Sequence, residues 1–133
     1  MNRRLIWPLM GFLTLGGVAA CTHEPVAPTA GTLNVALATP NSDDGAVLLT
    51  ITGGPVDSVE SAGFPVYSAR VDPNTLRIIV IGSLAPGTIA RIRIADDRQS
   101  SRYSAAVNQV AIRTTHAQRD PAGYSLTLEP PAR

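Results

Sequence analysis

The sequence is poor in residues that cross-link a small domain or stack on ligands. It has one cysteine, and aromatic residues make up 5% of its 133 positions. A single cysteine excludes an intramolecular disulfide, so packing alone must stabilise the fold. The core must then consist mainly of Val, Ile, Leu and Ala. Tyr67 and Tyr103 are the only aromatic residues in the middle of the chain that suit a carbohydrate platform.

The sequence also lacks a recognisable catalytic constellation. His23 and His116 have no Ser or Cys nucleophile and no orienting Asp in a familiar arrangement. With few polar residues and no insertion that would build a cleft, we expect a protein that is not an enzyme and binds no cofactor. A glycosidase-type pair stays open, since any two of four carboxylates can meet in a fold: Asp57, Glu60, Asp72 and Asp120.

The N-terminus has the parts of an export signal. Arg3 and Arg4 form a positive region, residues 5–18 are apolar, and small residues precede Cys21. A transmembrane helix is one alternative, but the apolar stretch is shorter than the ~20 residues that span a bilayer and contains proline and glycine. An ordinary signal with an incidental cysteine is the other. We predict a cleaved signal peptide over residues 1–20.

The segment Val18-Ala19-Ala20-Cys21 resembles the lipobox of bacterial lipoproteins. The resemblance implies diacylglycerol on the Cys21 thiol, cleavage before this residue and acylation of the new amino group. Multiple acyl chains anchor a protein stably where one chain binds only marginally. Thr22, in place of Asp, resembles the default sorting pattern for the outer membrane. We therefore expect a lipid-anchored protein of the cell envelope, in the outer membrane if the cell is Gram-negative.

The charge balance gives no sign of a polyanionic partner. Once Arg3 and Arg4 are removed with the signal, nine arginines face ten carboxylates, a formal net charge of about −1. Nucleic-acid binding needs a basic surplus, so no nucleic-acid partner is expected.

The remaining chain divides into a tether, a domain and a tail. Residues 21–31 contain two prolines, small residues and no apolar periodicity, which indicates a flexible tether after the lipidated cysteine. Apolar and β-branched runs alternate with turn signals over residues 32–129. Pro130 and Pro131 end this pattern, and residues 130–133 form a C-terminal tail. The sequence predicts an all-β fold, a single antiparallel Greek-key or jelly-roll sandwich of seven to nine strands.

Several segments make specific predictions about strand layout. Residues 33–38 and 46–52 flank a turn-rich segment and predict a first hairpin. Residues 75–81 are the most apolar run and predict a central strand. Residues 103–113 alternate weakly, so a short helix competes with a strand there. Residues 124–128 predict a closing strand that returns beside an earlier one.

Part of the domain resembles a known sandwich family. A strand at residues 46–52, the Asp72-Pro73 turn before an apolar strand, and the strand opened by Gly87 look like the core of a cohesin-like or related immunoglobulin-like sandwich. The resemblance covers less than half of the chain, and Val71 stands where the cohesin pattern has an aromatic residue. It implies a jelly-roll of nine strands that holds partner proteins at a cell surface, and it carries over no binding residue.

Two acidic pairs are candidates for cation ligands, although we expect no resident metal. Asp43 and Asp44 lie in a segment rich in oxygen ligands and followed by glycine, but it lacks the spacing of an EF-hand. A turn accounts for the same composition. Asp96 and Asp97 form the second pair, and Asp120 would join them only if their loops meet at one end of the sandwich.

Three arginines are candidates for ligand binding. Arg91 and Arg93 lie two apart on a predicted strand and therefore share a face. With Arg77 they would form a guanidinium stripe suited to carboxylates or sugar acids. The alternative is an exposed strand face whose charges keep it soluble and oppose edge pairing.

These features predict a membrane-anchored envelope lipoprotein that acts as a non-catalytic binding or structural module for a protein or glycan. The alternative is an accessory subunit of an envelope complex, stabilised by a strand from its partner. A small hydrolase is the third possibility.

Overall fold

The computed structural model describes residue 21 and residues 23–133. The predictions of a signal peptide over residues 1–20 and of a sorting role for Thr22 lie outside the described residues. The described part contains nine strands and one short 3-10 helix. In chain order they are β1 (Gly31–Ala38), β2 (Asp44–Thr52), β3 (Ser58–Ser61), β4 (Val66–Asp72), β5 (Thr75–Leu84), β6 (Gly87–Ile94), the 3-10 helix (Asp97–Arg102), β7 (Ser104–Ile112), β8 (Gln118–Arg119) and β9 (Ser125–Glu129).

The strands form two antiparallel sheets. The smaller sheet has the order β3-β6-β1-β9, and the larger sheet has the order β4-β5-β2-β7-β8. Only β4-β5 and β7-β8 join strands that are consecutive in the chain, so the other connections carry the chain from one sheet to the other. The predicted single antiparallel sandwich is confirmed.

The core lies between the two sheets and is aliphatic. Alternate residues of each strand point inward, and the central strands supply side chains that have no exposed surface, such as Val35, Leu49, Ile78 and Ile92. Full burial of such a side chain stabilises a fold by roughly 1.5–3 kcal/mol. The aromatic residues that contact this core lie at its margin, in agreement with the low aromatic content.

The predicted hairpin between the first two strands is wrong. β1 pairs with β6 and β9 in the smaller sheet, whereas β2 pairs with β5 and β7 in the larger sheet. Both strands bury alternate aliphatic residues, so they pack across the core rather than side by side. The turn between them is a corner that carries the chain from one sheet to the other.

Other layout predictions are confirmed. β7 is a strand and not a helix, and β9 returns beside β1. β5 lies inside its sheet, between β4 and β2, and buries Leu76, Ile78 and Val80. Its other face is open, because Ile79 and Ile81 are 40% and 42% exposed. No helix in the described part of the chain is long and apolar enough to cross a bilayer.

Candidate functional site

The outer face of the larger sheet carries a group of apolar side chains that we call the apolar face. Its members point away from the core, on strands β2, β4, β5 and β7: Ala46, Leu48, Tyr67, Ile79, Ile81 and Ala111. Tyr67 is 63% exposed, and no described residue covers Ile79 or Ile81 fully. Soluble monomers seldom leave aliphatic side chains of adjacent strands uncovered, so this face is the leading candidate for a binding surface.

The register of the strands brings these side chains into two rows. In one row Tyr67 lies opposite Ile79, and Ile79 lies opposite Leu48. In the next row Ile81 lies opposite Ala46, and Ala46 lies opposite Ala111. Side chains directly opposite on neighbouring strands lie about 5 Å apart at Cβ. The rows therefore form one continuous apolar surface across the middle of the sheet.

Shallow grooves flank these rows. One, of about 430 Å³, lies beside Ala46, Ile81 and His116. Another, of about 320 Å³, lies between Leu48, Tyr67 and Ile79. Both are open to solvent and lined mainly by carbon atoms, which suits a broad protein surface better than an enclosed small ligand.

The outer face of the smaller sheet has the opposite character. Arg91 and Arg93 lie exposed on β6, on one face as the sequence predicts. Glu60 on β3 and Asn34 on β1 flank Arg91 from its two sides. The arginine stripe is not formed as predicted, because Arg77 lies on β5 in the other sheet.

The first acidic pair lies at the corner between β1 and β2, where Asp44 has no exposed surface. Three groups donate hydrogen bonds to its carboxylate: Thr39 Oγ1 at 2.6 Å, Tyr124 Oη at 2.7 Å and Arg119 Nη1 at 2.9 Å. A buried carboxylate is tolerated only when it is paired and hydrogen-bonded. Thr39 is close to Asp44 in the sequence, but Arg119 and Tyr124 lie 75 and 80 residues away, so Asp44 connects two distant parts of the chain at this corner.

Asp43 completes this cluster from the solvent side. Arg119 donates two hydrogen bonds to its carboxylate, from Nη1 at 2.7 Å and from Nη2 at 3.0 Å. These bonds from Arg119 hold the pKa of Asp43 below its ordinary value, and hydrogen bonds to Asp43 and then Tyr124 raise the pKa of Arg119. A guanidinium group thus occupies the position that a cation would take between the two carboxylates.

The second acidic pair lies at the opposite end of the sandwich. Asp96 accepts hydrogen bonds from Arg98, which lower its pKa, and it caps the 3-10 helix. The backbone of Asp97 bonds to Thr29, just before β1 begins, whereas Asp120 lies near the end of β1. The eight residues of β1 span about 26 Å, so these loops do not converge. No described group of three or more His, Cys, Asp or Glu residues is placed to hold a metal ion.

The remaining polar candidates are dispersed. Asp72 and Asp120 each accept a hydrogen bond from the backbone two residues ahead, which is a turn-forming contact. Tyr103 packs against the core and donates a hydrogen bond to the carbonyl of Pro55 at 2.6 Å, and burial raises its pKa. Tyr67 lies on the apolar face, so these two tyrosines do not form one carbohydrate platform.

The sequence contained a signal for the apolar face. Ile79 and Ile81 lie on the second face of β5, a strand that is apolar on both faces. Such a strand usually has both faces covered, so the sequence alone did not indicate that these two side chains are exposed. Leu48 and Ala46 were not singled out, because their exposure depends on which elements lie over β2. Arg119 and Tyr124 were also missed as partners of Asp44, since they lie 75 and 80 residues away in the sequence.

Comparison with known proteins adds no relative. The sequence matches no protein-family model, and neither the curated proteins nor the solved structures contain a significant match.

Proposed function

We propose that this chain is a lipid-anchored envelope lipoprotein whose sandwich is a non-catalytic module that binds a partner protein through the apolar face. One observation carries the proposal: Tyr67, Ile79 and Ile81 form an exposed apolar surface on one sheet, while the outer face of the other sheet is polar. Burial of apolar surface is the main favourable contribution to protein association.

The apolar face is well suited to binding because its backbone is fixed before a partner arrives. Its central residues lie on β2 and β5, which are hydrogen-bonded on both sides within the sheet. Little conformational entropy is lost when such a surface is covered. The face is also nearly free of charge, and Arg77 lies at its margin. Few charged groups have to be desolvated on binding.

A protein partner fits this surface better than a glycan. Carbohydrate sites stack sugar rings on aromatic side chains, and Tyr67 is the one aromatic residue that the described part of the apolar face offers. Ile79, Ile81 and Leu48 suit aliphatic and aromatic side chains of another protein instead.

The closed core favours this function over that of a subunit awaiting a partner strand. The described part of the chain already buries sixteen hydrophobic residues to 7% exposure or less. A domain that needs a donated strand leaves a slot of core side chains exposed, and Val35 and Leu37 of β1 are flanked here on both sides, by β6 and β9.

The anchor and the domain are joined by a short segment. Residues 23–30 are exposed and form no strand or helix, and the Thr29 carbonyl accepts a hydrogen bond from Asp97. The segment from Cys21 to Thr29 reaches about 25 Å when extended. A lipid on Cys21 would hold the domain near the membrane by the end that carries Asp97 and leave the apolar face accessible.

Site-specific photo-cross-linking in cells tests the proposed binding face. A photoreactive residue in place of Ile79 in the full chain should give one discrete adduct with an envelope protein, and Ile81→Glu should reduce it at least tenfold. Arg93 is the matched control, because it is also exposed on a sheet but on the polar face. Equal adducts from both positions, or adducts with lipid alone from Ile79, would contradict the proposal.

A further inference from the structure

The grooves on the apolar face join into one longer depression. Leu48 and Ile79 line both the groove of about 320 Å³ and a middle groove of about 170 Å³. Ala46 and Ala111 line both the middle groove and the groove of about 430 Å³. We call the three joined grooves the channel. It crosses the outer face of the larger sheet from β4 to the turn that follows β7.

The charged side chains of the channel lie at its two ends and have one sign. Arg77 lines one end, and Arg113 lines the other together with His116. Among the described residues, no aspartate or glutamate lines any of the three grooves. The channel is therefore apolar along its length, with a guanidinium group at each end.

Both of these arginines are available to a second molecule. The side-chain ion pairs within the described residues use Arg98 and Arg119 alone. Asp43 is adjacent to Arg113 through a backbone hydrogen bond, but its carboxylate already accepts two hydrogen bonds from Arg119. A free guanidinium group is well suited to a carboxylate, which it can bind through two parallel hydrogen bonds.

The register of the strands gives the spacing between the two ends. Arg77 lies opposite Thr50 on β2, whereas the backbone of Arg113 lies against Gly45, near the start of the same strand. Positions 45 and 50 are about 17 Å apart along a strand, and the two strand spacings between β5 and β7 add about 10 Å across it. The Cα atoms of the two arginines are therefore about 20 Å apart.

The outer face of the smaller sheet does not share this charge pattern. Arg91 lies opposite Glu60 there, and Glu129 lies in the same row, opposite Asn34. Charges of both signs on that face can neutralise one another, whereas the ends of the channel need carboxylates from another molecule.

A second copy of this chain is a poor source of those carboxylates. If two copies met face to face about a two-fold axis, the same basic surface would lie on both sides of the contact. Arginines would then oppose arginines, and like charges across an interface are repulsive.

We propose that the partner protein covers the channel with an acidic apolar segment, whose apolar side chains fill the grooves and whose two carboxylates, about 20 Å apart, pair with Arg77 and Arg113. The inference rests on the proposed function and names the chemistry of the partner. Pairs at the rim of an interface contribute mainly to specificity and to the rate of association.

Charge reversal combined with photo-cross-linking tests the proposal in cells. With the photoreactive residue at position 79 of the full chain, Arg77→Glu and Arg113→Glu together should reduce the protein adduct at least about tenfold. Arg77→Lys and Arg113→Lys together keep the charges and should retain most of the adduct. Arg93→Glu is the matched control, because Arg93 is also exposed but lies on the polar face, and it should leave the adduct unchanged. All three arginines are exposed, so the variants should fold.

The cross-linked peptide provides a second test. Mass spectrometry of the adduct should identify a partner segment with Asp or Glu on both sides of an apolar stretch. Changing these carboxylates to arginine should weaken the adduct with the parent chain. The same change should restore the adduct with the Arg77→Glu, Arg113→Glu double variant, because opposite charges then meet again.

The outcomes separate this inference from the proposed function. A protein adduct that the charge reversals leave unchanged, or an adduct between two copies of this chain, would overturn the acidic segment and leave a protein-binding face. The absence of any adduct from position 79, or an adduct with lipid alone, would overturn the proposed function and this inference with it.

Discussion

At the scale of single residues, Asp44 shows how a buried charge fixes one end of the sandwich. Its carboxylate has no exposed surface and receives bonds from Thr39, Arg119 and Tyr124. Asn41 donates a further hydrogen bond to the hydroxyl of Tyr124 at 2.7 Å. Loss of one member of such a network leaves its partners desolvated and unpaired.

Asp44→Ala should therefore destabilise the domain by about 3 kcal/mol, since it removes one partner of a buried ion pair. Asp97→Ala is the control, an exposed aspartate for which we expect a change within about 0.5 kcal/mol. Urea denaturation followed by circular dichroism measures both. Equal stability of Asp44→Ala and the parent would show that the corner does not depend on this network.

Asp43 should make the stability of the domain decrease at acidic pH. Hydrogen bonds from Arg119 lower its pKa in the folded state, below the value of about 3.9 in the unfolded chain. Its contribution is thus fully present above about pH 5 and is lost as the pH falls through the lowered folded pKa. We expect the urea midpoint of the parent to fall more between pH 6 and pH 3 than that of Asp43→Asn. Parallel pH profiles would exclude this role.

The sequence allowed only half of this corner to be predicted. Asp43 and Asp44 stand out as adjacent carboxylates next to a glycine, but the hairpin turn predicted for them is a corner between the two sheets, and Asp44 is the first residue of β2. Their partner Arg119 lies on β8, a strand of two residues with no apolar pattern of its own. Spacing along the chain cannot reveal contacts that depend on how two sheets are stacked.

At the scale of strands, the side chains of β2 alternate between the core, where they stabilise the fold, and the outer face of the sheet. Leu49 points into the core and has no exposed surface, whereas Leu48 points to the apolar face. The two leucines are adjacent in the sequence and chemically identical, so they form a matched pair for experiment.

Leu49→Ala should lower the free energy of unfolding by about 3 kcal/mol, because it removes buried methyl groups and leaves a cavity. Leu48→Ala should cost less than about 1 kcal/mol, since its side chain is only partly buried. Denaturation curves of the two variants test this difference. If Leu48→Ala were the more destabilising change, the assignment of inner and outer faces on β2 would be wrong.

The positions of the strands could be predicted from the sequence more reliably than the pairing between strands. The alternation of Leu33, Val35 and Leu37 fixes a strand and its buried face, and β1 is found there. The same alternation is compatible with two arrangements of β1 and β2: a hairpin within one sheet, or two strands of different sheets that pack against each other across the core. Only the second arrangement is found. Pro65 did indicate an edge strand, and β4 begins directly after it at one side of its sheet.

At the scale of the whole molecule, the two outer faces of the sandwich differ. One carries Arg91 and Arg93 among polar residues, and the other carries the apolar face. A domain that needed only solubility would be polar on both sides. This asymmetry gives the molecule one surface that gains from being covered, and the proposed anchor at Cys21 would confine that surface to the envelope.

The measurement that tests the central claim most directly is the mass and location of the mature chain, with Cys21→Ser as the comparison. We expect the parent to be found in the membrane fraction, to begin at Cys21 and to carry the added mass of acyl chains on this residue. Cys21→Ser should remain unprocessed or be released from the membrane. A parent chain with an unmodified Cys21 thiol, in a soluble fraction, would contradict the account.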